Sequence, residues 1–330
     1  MRVRWLVVIV VLAAAGLGWL VLTPTPAVRQ GPLVVTIPPH DSLFAIAERL
    51  AEAQVIKSRP AFMAATVLRG APRSLKAGEY EIPRDATTWD IVALLESGRV
   101  RQHAILHPEG ATVAELARAL EAERLANADA VARAAIDRKF LDALGIEGPS
   151  VEGYLFPDTY QFVRGMTPED ILGKMVQRMR AKLTAEVRGR ASDMGLNTHQ
   201  LLTLASIIER EAIEKEEQRV IAAVFWNRLK IGMPLQADPT VQYAVAKERR
   251  ALSRADLAVD HPYNTYVRAG LPPGPIASPG LGAIQAALNP APVKYLYFVA
   301  RDDRRHHFST TMEEHNAAVT RYRLSRANGR

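Results

Sequence analysis

The amino terminus carries an uncharged apolar run from Trp5 to Leu22, and Arg2 and Arg4 precede it. A helix of this length is about long enough to cross the hydrocarbon core of a bilayer. Cations that flank a span tend to stay in the cytoplasm, and no second apolar run of similar length follows. We therefore predict a cytoplasmic stub and one membrane span over residues 1–23, with the rest of the chain on the far side.

The alternative is a cleaved signal peptide. The apolar region is long for such a peptide, and its small residues, Ala13 to Gly16, lie in the middle of the run and not after it. Length therefore favours an anchor. The proline-containing residues 24–30 are predicted to link this anchor to the folded part.

The chain contains 42 Lys and Arg against 35 Asp and Glu, a formal net charge of +7. Such a balance suits an anionic partner, for example an acidic polymer. The cations are dispersed, and no motif combines aromatic and basic residues as RNA-binding proteins do, so nucleic acid is not expected as a partner. Cysteine is absent, which excludes disulfides, thiolate catalysis and cysteine-ligated metals.

One spacing recurs three times in the first half. A β-like stretch ends in a proline, a hydroxyl residue follows four positions later, and apolar residues follow four and eight positions after that. This pattern predicts a strand, a helix N-cap and an amphipathic helix. The copies are Pro38, Ser42, Ile46 and Leu50; Pro83, Thr87, Ile91 and Leu95; and Pro108, Thr112, Leu116 and Leu120.

Small α+β units follow from this pattern: a subdomain over residues 31–100 and a connecting α+β region over 101–149. Leu33–Ile37 and Gly78–Ile82 are predicted strands, and Gly98 is predicted to end the second helix. The stretch LKAGEYEIP at 75–83 resembles the second half of a LysM-type module, a class that binds glycans containing N-acetylglucosamine. Any small α+β unit would show the same strand, proline and cap, so the resemblance alone does not decide for sugar.

The second half is predicted to be a mixed α/β domain over residues 150–330. An alanine-rich helical pattern covers 123–144, and glycines and Pro149 interrupt it. A further helix is predicted to begin at the cap Thr167, with Pro168 in its first position. The overall fold class is therefore α+β, with a single amino-terminal transmembrane helix.

A later helix carries the residue that is the best candidate for catalysis. Asn197 with Gln200 predicts its N-terminus, and Glu209 lies beside its apolar stripe with no cation in its helical row. A carboxyl held against apolar surface has a raised pKa and can donate a proton near neutrality. The alternative is a Glu at the edge of the stripe with its carboxylate in water. Glu211, with Glu214 and Lys215 as helical neighbours, is expected to be solvated, as are Glu214, Glu216 and Glu217.

The second half resembles the YceG-like endolytic murein transglycosylases over nearly its whole length, and the anchor and the LysM-like part extend the resemblance. The blocks that carry it are EGYLFPDTY at 152–160, LASIIERE at 204–211, VFWNRLKIGMPLQADPTVQY at 224–243, LS at 252–253, YNTY at 263–266, GLPPGPI at 270–276 and YLYFV at 295–299.

The resemblance implies that Glu209 is the catalytic acid and that Gln236, Asp238 and Asn264 line the sugar cleft. It implies cleavage of the MurNAc-GlcNAc bond of nascent peptidoglycan with formation of a 1,6-anhydro-muramyl end and no consumption of water. It also implies a catalytic domain on the periplasmic or outer face and work beside a peptidoglycan-synthesis complex.

Two other functions remain open from the sequence. A hydrolase would use Glu209 together with Asp238, because conventional glycosidases use a pair of carboxylates. A non-catalytic wall-binding scaffold would need neither. The histidines at 103, 107, 306, 307 and 315 lack metal-ligand spacing and are expected to be solvated, so neither a metal nor another cofactor is predicted.

Overall fold

The computed structural model describes residues 2–25, 31–247, 249–301 and 305–328, so most of the predicted linker, residues 26–30, lies outside the described part. The chain forms two compact units. Unit 1 contains Met1–Ala104 and Gln161–Gly165, and unit 2 contains Ile105–Tyr160 and Met166–Arg330.

The apolar run is helical, as predicted: helix α1 spans Arg2–Leu22. Its Val3–Leu22 part is long and apolar enough to cross a membrane. Most of the helix is exposed, but Val21 is buried in the core of unit 1, and Leu17 and Leu20 pack against that core.

The rest of unit 1 is a small α+β unit. In chain order it contains β1 (Leu33–Ile37), α2 (Leu43–Glu52), α3 (Arg59–Leu68), β2 (Gly78–Ile82) and α4 (Thr88–Ser97). The strands β1 and β2 pair antiparallel, with Val35 opposite Tyr80. Both predicted strands are confirmed at their exact bounds.

The repeated caps are also confirmed. Ser42 accepts from the amide of Ala45 and Thr87 from that of Asp90, so each hydroxyl satisfies one of the unpaired donors at a helix start. The third copy forms β3 (His103–His107) and α5 (Val113–Ala122), with Thr112 capping α5. Gly98 ends α4 in the left-handed conformation that glycine adopts without strain.

Unit 2 is mainly helical. The predicted helical run 123–144 is broken into α6 (Ala128–Ile136) and α7 (Arg138–Ala143), because Asn127 and Asp137 each cap a new start. Strand β4 (Asp158–Phe162) pairs with β3. The remaining elements are α8 (Pro168–Lys182), α9 (Ala185–Asp193), α10 (Thr198–Glu211), α11 (Gln218–Lys230), α12 (Asp238–Ala244), α13 (Arg254–Leu257), α14 (Leu281–Leu288), β5 (Tyr297–Ala300), β6 (His306–Ser309) and α15 (Met312–Asn328).

The two compact units meet at residue 104, and the chain returns to unit 1 for residues 161–165. The break at Ala104 lies close to the predicted end of the first subdomain at residue 100. No break appears near residue 149, since residues 105–149 belong to the same unit as 166–330. The amide of Val151 donates to the carbonyl of Ala135, so the chain passes that point within one packed unit.

Candidate functional site

Helix α10 positions the candidate site. Asn197 and Gln200 form the predicted capping box at its start, and every residue from Leu201 to Ile208 is buried. The helix ends at Glu211, and Ala212 after it is extended. Two carboxyl groups, those of Glu209 and Glu211, therefore leave the last turn of a helix whose body is fixed in the core.

Glu209 faces the start of α14. Its Oε2 accepts from the amide of Gly280 at 3.0 Å. Burial raises the pKa of Glu209, Glu109 raises it further, and the Gly280 amide and Lys215 oppose the shift. Gly280 also lets Glu109 approach, because a Cβ at this position would lie 2.1 Å from Glu109 Oε1.

Glu211 was expected to be solvated, and this expectation is wrong. Burial raises the pKa of Glu211 to about 8, and the nearby Asp238 raises it as well. Arg228, Arg210 and the backbone amide of Asp238 act in the opposite direction. The helical-neighbour argument failed because α10 ends at Glu211: Lys215 lies beyond the helix and pairs with Glu109.

One of the predicted sugar-binding residues, Asp238, lies beside Glu211, and Gln236 precedes it by two residues. Asp238 opens α12 and is exposed, and its Oδ1 accepts from the hydroxyl of Tyr266 at 2.5 Å. Gln236 is exposed two residues earlier, at a left-handed φ of 45°, and its amide donates to the carbonyl of Thr265 at 3.0 Å. An exposed carboxylate thus lies next to the half-buried Glu211, whose pKa is raised.

Asn264, the third residue predicted to line the sugar cleft, is buried, unlike Asp238 and Gln236. It is 0% exposed, and its side-chain amide donates to the carbonyls of Leu257 and Val259 at 3.0 and 2.8 Å. Its Oδ1 accepts from the amide of Tyr266 at 2.9 Å. The side chain therefore fixes the loop that carries Tyr266 and presents no surface to a cleft.

Two residues near Glu211 escaped the sequence analysis. Arg228 is buried, and it donates to the carbonyls of Leu296 and Leu235 at 2.6 and 2.8 Å while contributing charge to the surroundings of Glu211. Tyr266 holds Asp238. Both lie within motif blocks, but their contacts join segments some 30 to 70 residues apart, and only the tertiary fold reveals such contacts.

A third buried carboxyl belongs to Glu152. It accepts from the amide of Val113 at the start of α5, at 3.2 Å to each oxygen. Burial raises the pKa of Glu152 to about 8, and the amides of Val113 and Gly153 oppose this shift. Because both oxygens face a backbone donor at a helix start, Glu152 ties the 152–160 block to α5.

The segment 273–280 runs along α10 and contacts its side chains at three points, near the start of the helix and on its last turns. His199 Nε2 donates to the carbonyl of Pro273 at 2.7 Å, the amide of Ile276 donates to Ser206 Oγ at 3.1 Å, and the amide of Gly280 donates to Glu209. Because Nε2 carries the proton, His199 Nδ1 accepts from the Tyr154 hydroxyl at 2.9 Å. Glu209 is the last of three anchors for this segment.

The histidines are less solvated than expected. His103 and His107 are buried: His103 contacts Glu79 at 2.5 Å, and His107 contacts Ser278 Oγ at 2.8 Å. Glu217, also expected in water, accepts from the amide of His306 at 3.0 Å and contacts its ring. Among the described residues, no group of three or more His, Asp or Glu could hold a metal ion.

A half-buried carboxyl with a raised pKa, beside an exposed carboxylate and a tyrosine, is typical of enzymes that act by acid-base catalysis. The sequence profile of the YceG-like family matches residues 35–321. The chain therefore belongs to the YceG-like family.

Relatives of known name agree with this assignment. An endolytic murein transglycosylase of Bacillus subtilis strain 168 is 36% identical over 323 residues, which cover 92% of this chain and 89% of that protein. One from Streptococcus pneumoniae serotype 2 is 30% identical over 77% of this chain and 52% of its own length. The crystal structure of a YceG-like protein from Listeria monocytogenes has a TM-score of 0.62 at 33% identity and covers 87% of this chain and 99% of that chain.

Proposed function

We propose that this chain is an endolytic murein transglycosylase that cleaves the MurNAc-GlcNAc bond of nascent peptidoglycan and leaves 1,6-anhydro-MurNAc ends. The family and its named relatives support the reaction class. The observation that carries the chemistry is the cluster of Glu211, Asp238 and Tyr266 at the end of α10.

Sequence resemblance gave the acid role to Glu209; we propose Glu211 instead, because its pKa is raised to about 8 and it lies beside the exposed Asp238. A general acid must hold a proton at working pH and must be free to give it up. The pKa of Glu211 is raised to about 8, next to exposed polar groups that can take a sugar. Glu209 instead anchors the 273–280 segment through Gly280. We therefore propose Glu211 as the acid and Glu209 as the residue that holds this segment.

The reaction needs one carboxyl in two states. Protonated Glu211 gives its proton to the glycosidic oxygen as the bond from MurNAc C1 to that oxygen breaks, which releases the GlcNAc hydroxyl. The resulting carboxylate then takes the proton of the MurNAc C6 hydroxyl while O6 bonds to C1. Glu211 ends as it began, and no water is consumed. This cycle explains why a second catalytic carboxylate is not required.

The neighbours of Glu211 divide the remaining tasks in this proposal. Asp238, exposed beside the acid, and Gln236, exposed two residues before Asp238, contact the sugar. The negative charge of Asp238 also stabilises positive charge that develops at C1. Tyr266 orients Asp238, and Asn264 orients Tyr266 through the loop that it fixes.

The amino-terminal half suits a membrane-anchored form of this enzyme. Helix α1 would span the inner (cytoplasmic) membrane of the host, with Arg2 and Arg4 on the cytoplasmic side. The catalytic domain would then lie in the periplasm or outside the cell. The LysM-like unit, with two helices between its antiparallel strands, would contact glycan. A peptidoglycan-synthesis complex stays the expected partner.

The test is mass spectrometry of products from uncrosslinked peptidoglycan strands incubated with the full chain in detergent. Anhydro-muramyl ends that disappear with Glu211→Gln support the proposal. Products heavier by one water, with reducing ends, would indicate the hydrolase that uses Asp238 as a second carboxylate. Strand binding without turnover by folded wild-type protein would indicate a wall-binding scaffold.

A further inference from the structure

The last turns of α1 do not form a free tether. Leu17 and Leu20 pack against the core of unit 1, and Val21 is buried in it. The hydroxyl of Thr88, at the start of α4, donates to the carbonyl of Leu20 at 3.3 Å. One face of α1 is therefore covered by protein from Leu17 onward.

The length of α1 determines whether the turns covered by unit 1 must also lie in the membrane. The full apolar segment Val3–Leu22 has 20 residues, which at 1.5 Å per residue give about 30 Å, the thickness of a hydrocarbon core. If the membrane ended where the protein cover begins, about 14 residues and roughly 21 Å of helix would remain. That length is too short to span. The covered turns must therefore lie within the membrane as well.

The opposite face of the same turns agrees with this depth. Trp19 is 60% exposed and Leu22 61% exposed, although both side chains are large and apolar. Such exposure is costly in water and favourable in lipid. These two residues extend the lipid-facing surface of α1 past Gly16, where its other face meets unit 1.

Unit 1 also exposes apolar side chains on a helix that packs against α1. Both α3 and α4 pack against α1. Val67 and Leu68, at the end of α3, are 61% and 70% exposed. The Arg69 guanidinium lies 4.9 Å from the centroid of the Trp89 ring, and Trp89 follows Thr88, which binds Leu20. The end of α3 therefore lies beside the start of α4, and the start of α4 contacts Leu20; we call this region the α3–α4 edge.

Two cation–aromatic pairs mark the boundary of that edge. Lys57 Nζ lies 3.9 Å from the centroid of the Trp19 ring, and Arg69 covers Trp89. Tryptophan is enriched at membrane–water interfaces, and long cationic side chains there keep their charge among headgroups while their stems lie on apolar surface.

We propose that the α3–α4 edge is inserted into the interfacial layer of the bilayer that α1 spans, with Val67 and Leu68 against acyl chains and Lys57 and Arg69 among phospholipid headgroups. The proposal rests on the membrane anchor put forward above. It fixes unit 1 at the membrane surface, at a depth set by Leu17, Leu20 and Val21.

The absence of cysteine permits a direct test in the full chain, because each engineered cysteine is the only thiol. Spin labels at Leu68→Cys and Val67→Cys are compared, in phospholipid nanodiscs, with labels at Leu12→Cys inside the span and at Glu81→Cys on the exposed face of β2. The readout is the ratio of collision rates with oxygen, which partitions into lipid, and with a water-soluble nickel chelate.

We expect labels at Leu68 and Val67 to give ratios near the Leu12 value and several-fold above that of Glu81. Ratios at 67 and 68 equal to that of Glu81, with Leu12 still lipid-exposed, would overturn the insertion and leave the anchor intact. A Leu12 label fully accessible to the nickel chelate would overturn the anchor and the insertion together.

Discussion

The two sides of the last turn of α10 carry the same functional group in different surroundings. On one side, Glu209 meets a backbone amide, a neighbouring carboxylate and an exposed lysine, and its pKa is raised mainly by burial. On the other side, Glu211 meets Asp238 and two arginines, and its pKa reaches about 8. Two positions along a helix rotate a side chain by about 200°. In the proposed mechanism, the contacts of each carboxyl, and not its place in the motif, assign Glu209 to anchoring and Glu211 to proton transfer.

The largest expected effect separates the two glutamates by turnover. Glu211→Gln should lower the rate of anhydro-end formation by about 10²- to 10⁴-fold, the usual contribution of general acid-base catalysis. Glu209→Gln, which keeps an oxygen for the Gly280 amide, should stay within about tenfold of wild type. Initial rates on uncrosslinked strands measure both, with melting curves as folding controls. If Glu209→Gln showed the large loss and Glu211→Gln the small one, the comparison would be reversed.

The pH profile tests the same assignment. Because Glu211 acts while protonated, kcat/KM should fall about tenfold per pH unit above about 8. Asp238→Asn removes a negative charge that raises the pKa of Glu211, so the alkaline decline should begin at lower pH. Glu209→Gln serves as the matched control and should leave the decline in place. An unchanged profile in Asp238→Asn would contradict the coupling.

A smaller effect is expected from the residue that holds Asp238. Tyr266→Phe removes the donor to Asp238 Oδ1, a hydrogen bond to a charged group at an exposed site, and should raise KM about three- to tenfold with a smaller change in kcat. Tyr295→Phe, whose ring stacks on Phe308 away from this cluster, is the control. Equal KM values in the two variants would remove Tyr266 from the proposed site.

The smallest effect concerns the free energy of unfolding. The folded-state pKa of Glu211 is raised above that of the unfolded chain, so the folded state binds more protons between about pH 4.5 and 8 and loses stability as pH rises through this window. Glu211→Gln should reduce that loss by on the order of 1 kcal/mol per pH unit between pH 5 and pH 8, measured in urea titrations. Glu209→Gln should reduce it less. A larger reduction in Glu209→Gln than in Glu211→Gln would mean that Glu209, and not Glu211, is the more strongly desolvated carboxyl.

Local chemistry was readable from the sequence. Ser42, Thr87, Thr112, Thr167 and Asn197 all cap helices where predicted, because a cap needs only a short polar side chain and an orphan amide within three residues. The bounds of the strands β1 and β2 were also predicted from the local sequence. These features depend on residues that are close in the chain.

Features that depend on distant segments were not readable. Glu211 was misjudged because its helical neighbours were assumed to continue past the end of α10. Asn264 lies in a matching motif, yet its hydrogen bonds all go to nearby backbone groups. Within the site, motif matching identified the segments but did not distinguish the residues that could contact substrate from those that shape the loop.

The attachment of 273–280 to α10 has a consequence for local unfolding. Since His199, Ser206 and Glu209 each bind this segment, releasing it breaks contacts on three turns at once, so the segment and the helix should open as one cooperative unit. Slow hydrogen exchange at the amides of Ile276 and Gly280 would then match that of the buried turns of α10. The loop would behave, in stability, as part of the helix that carries the acid.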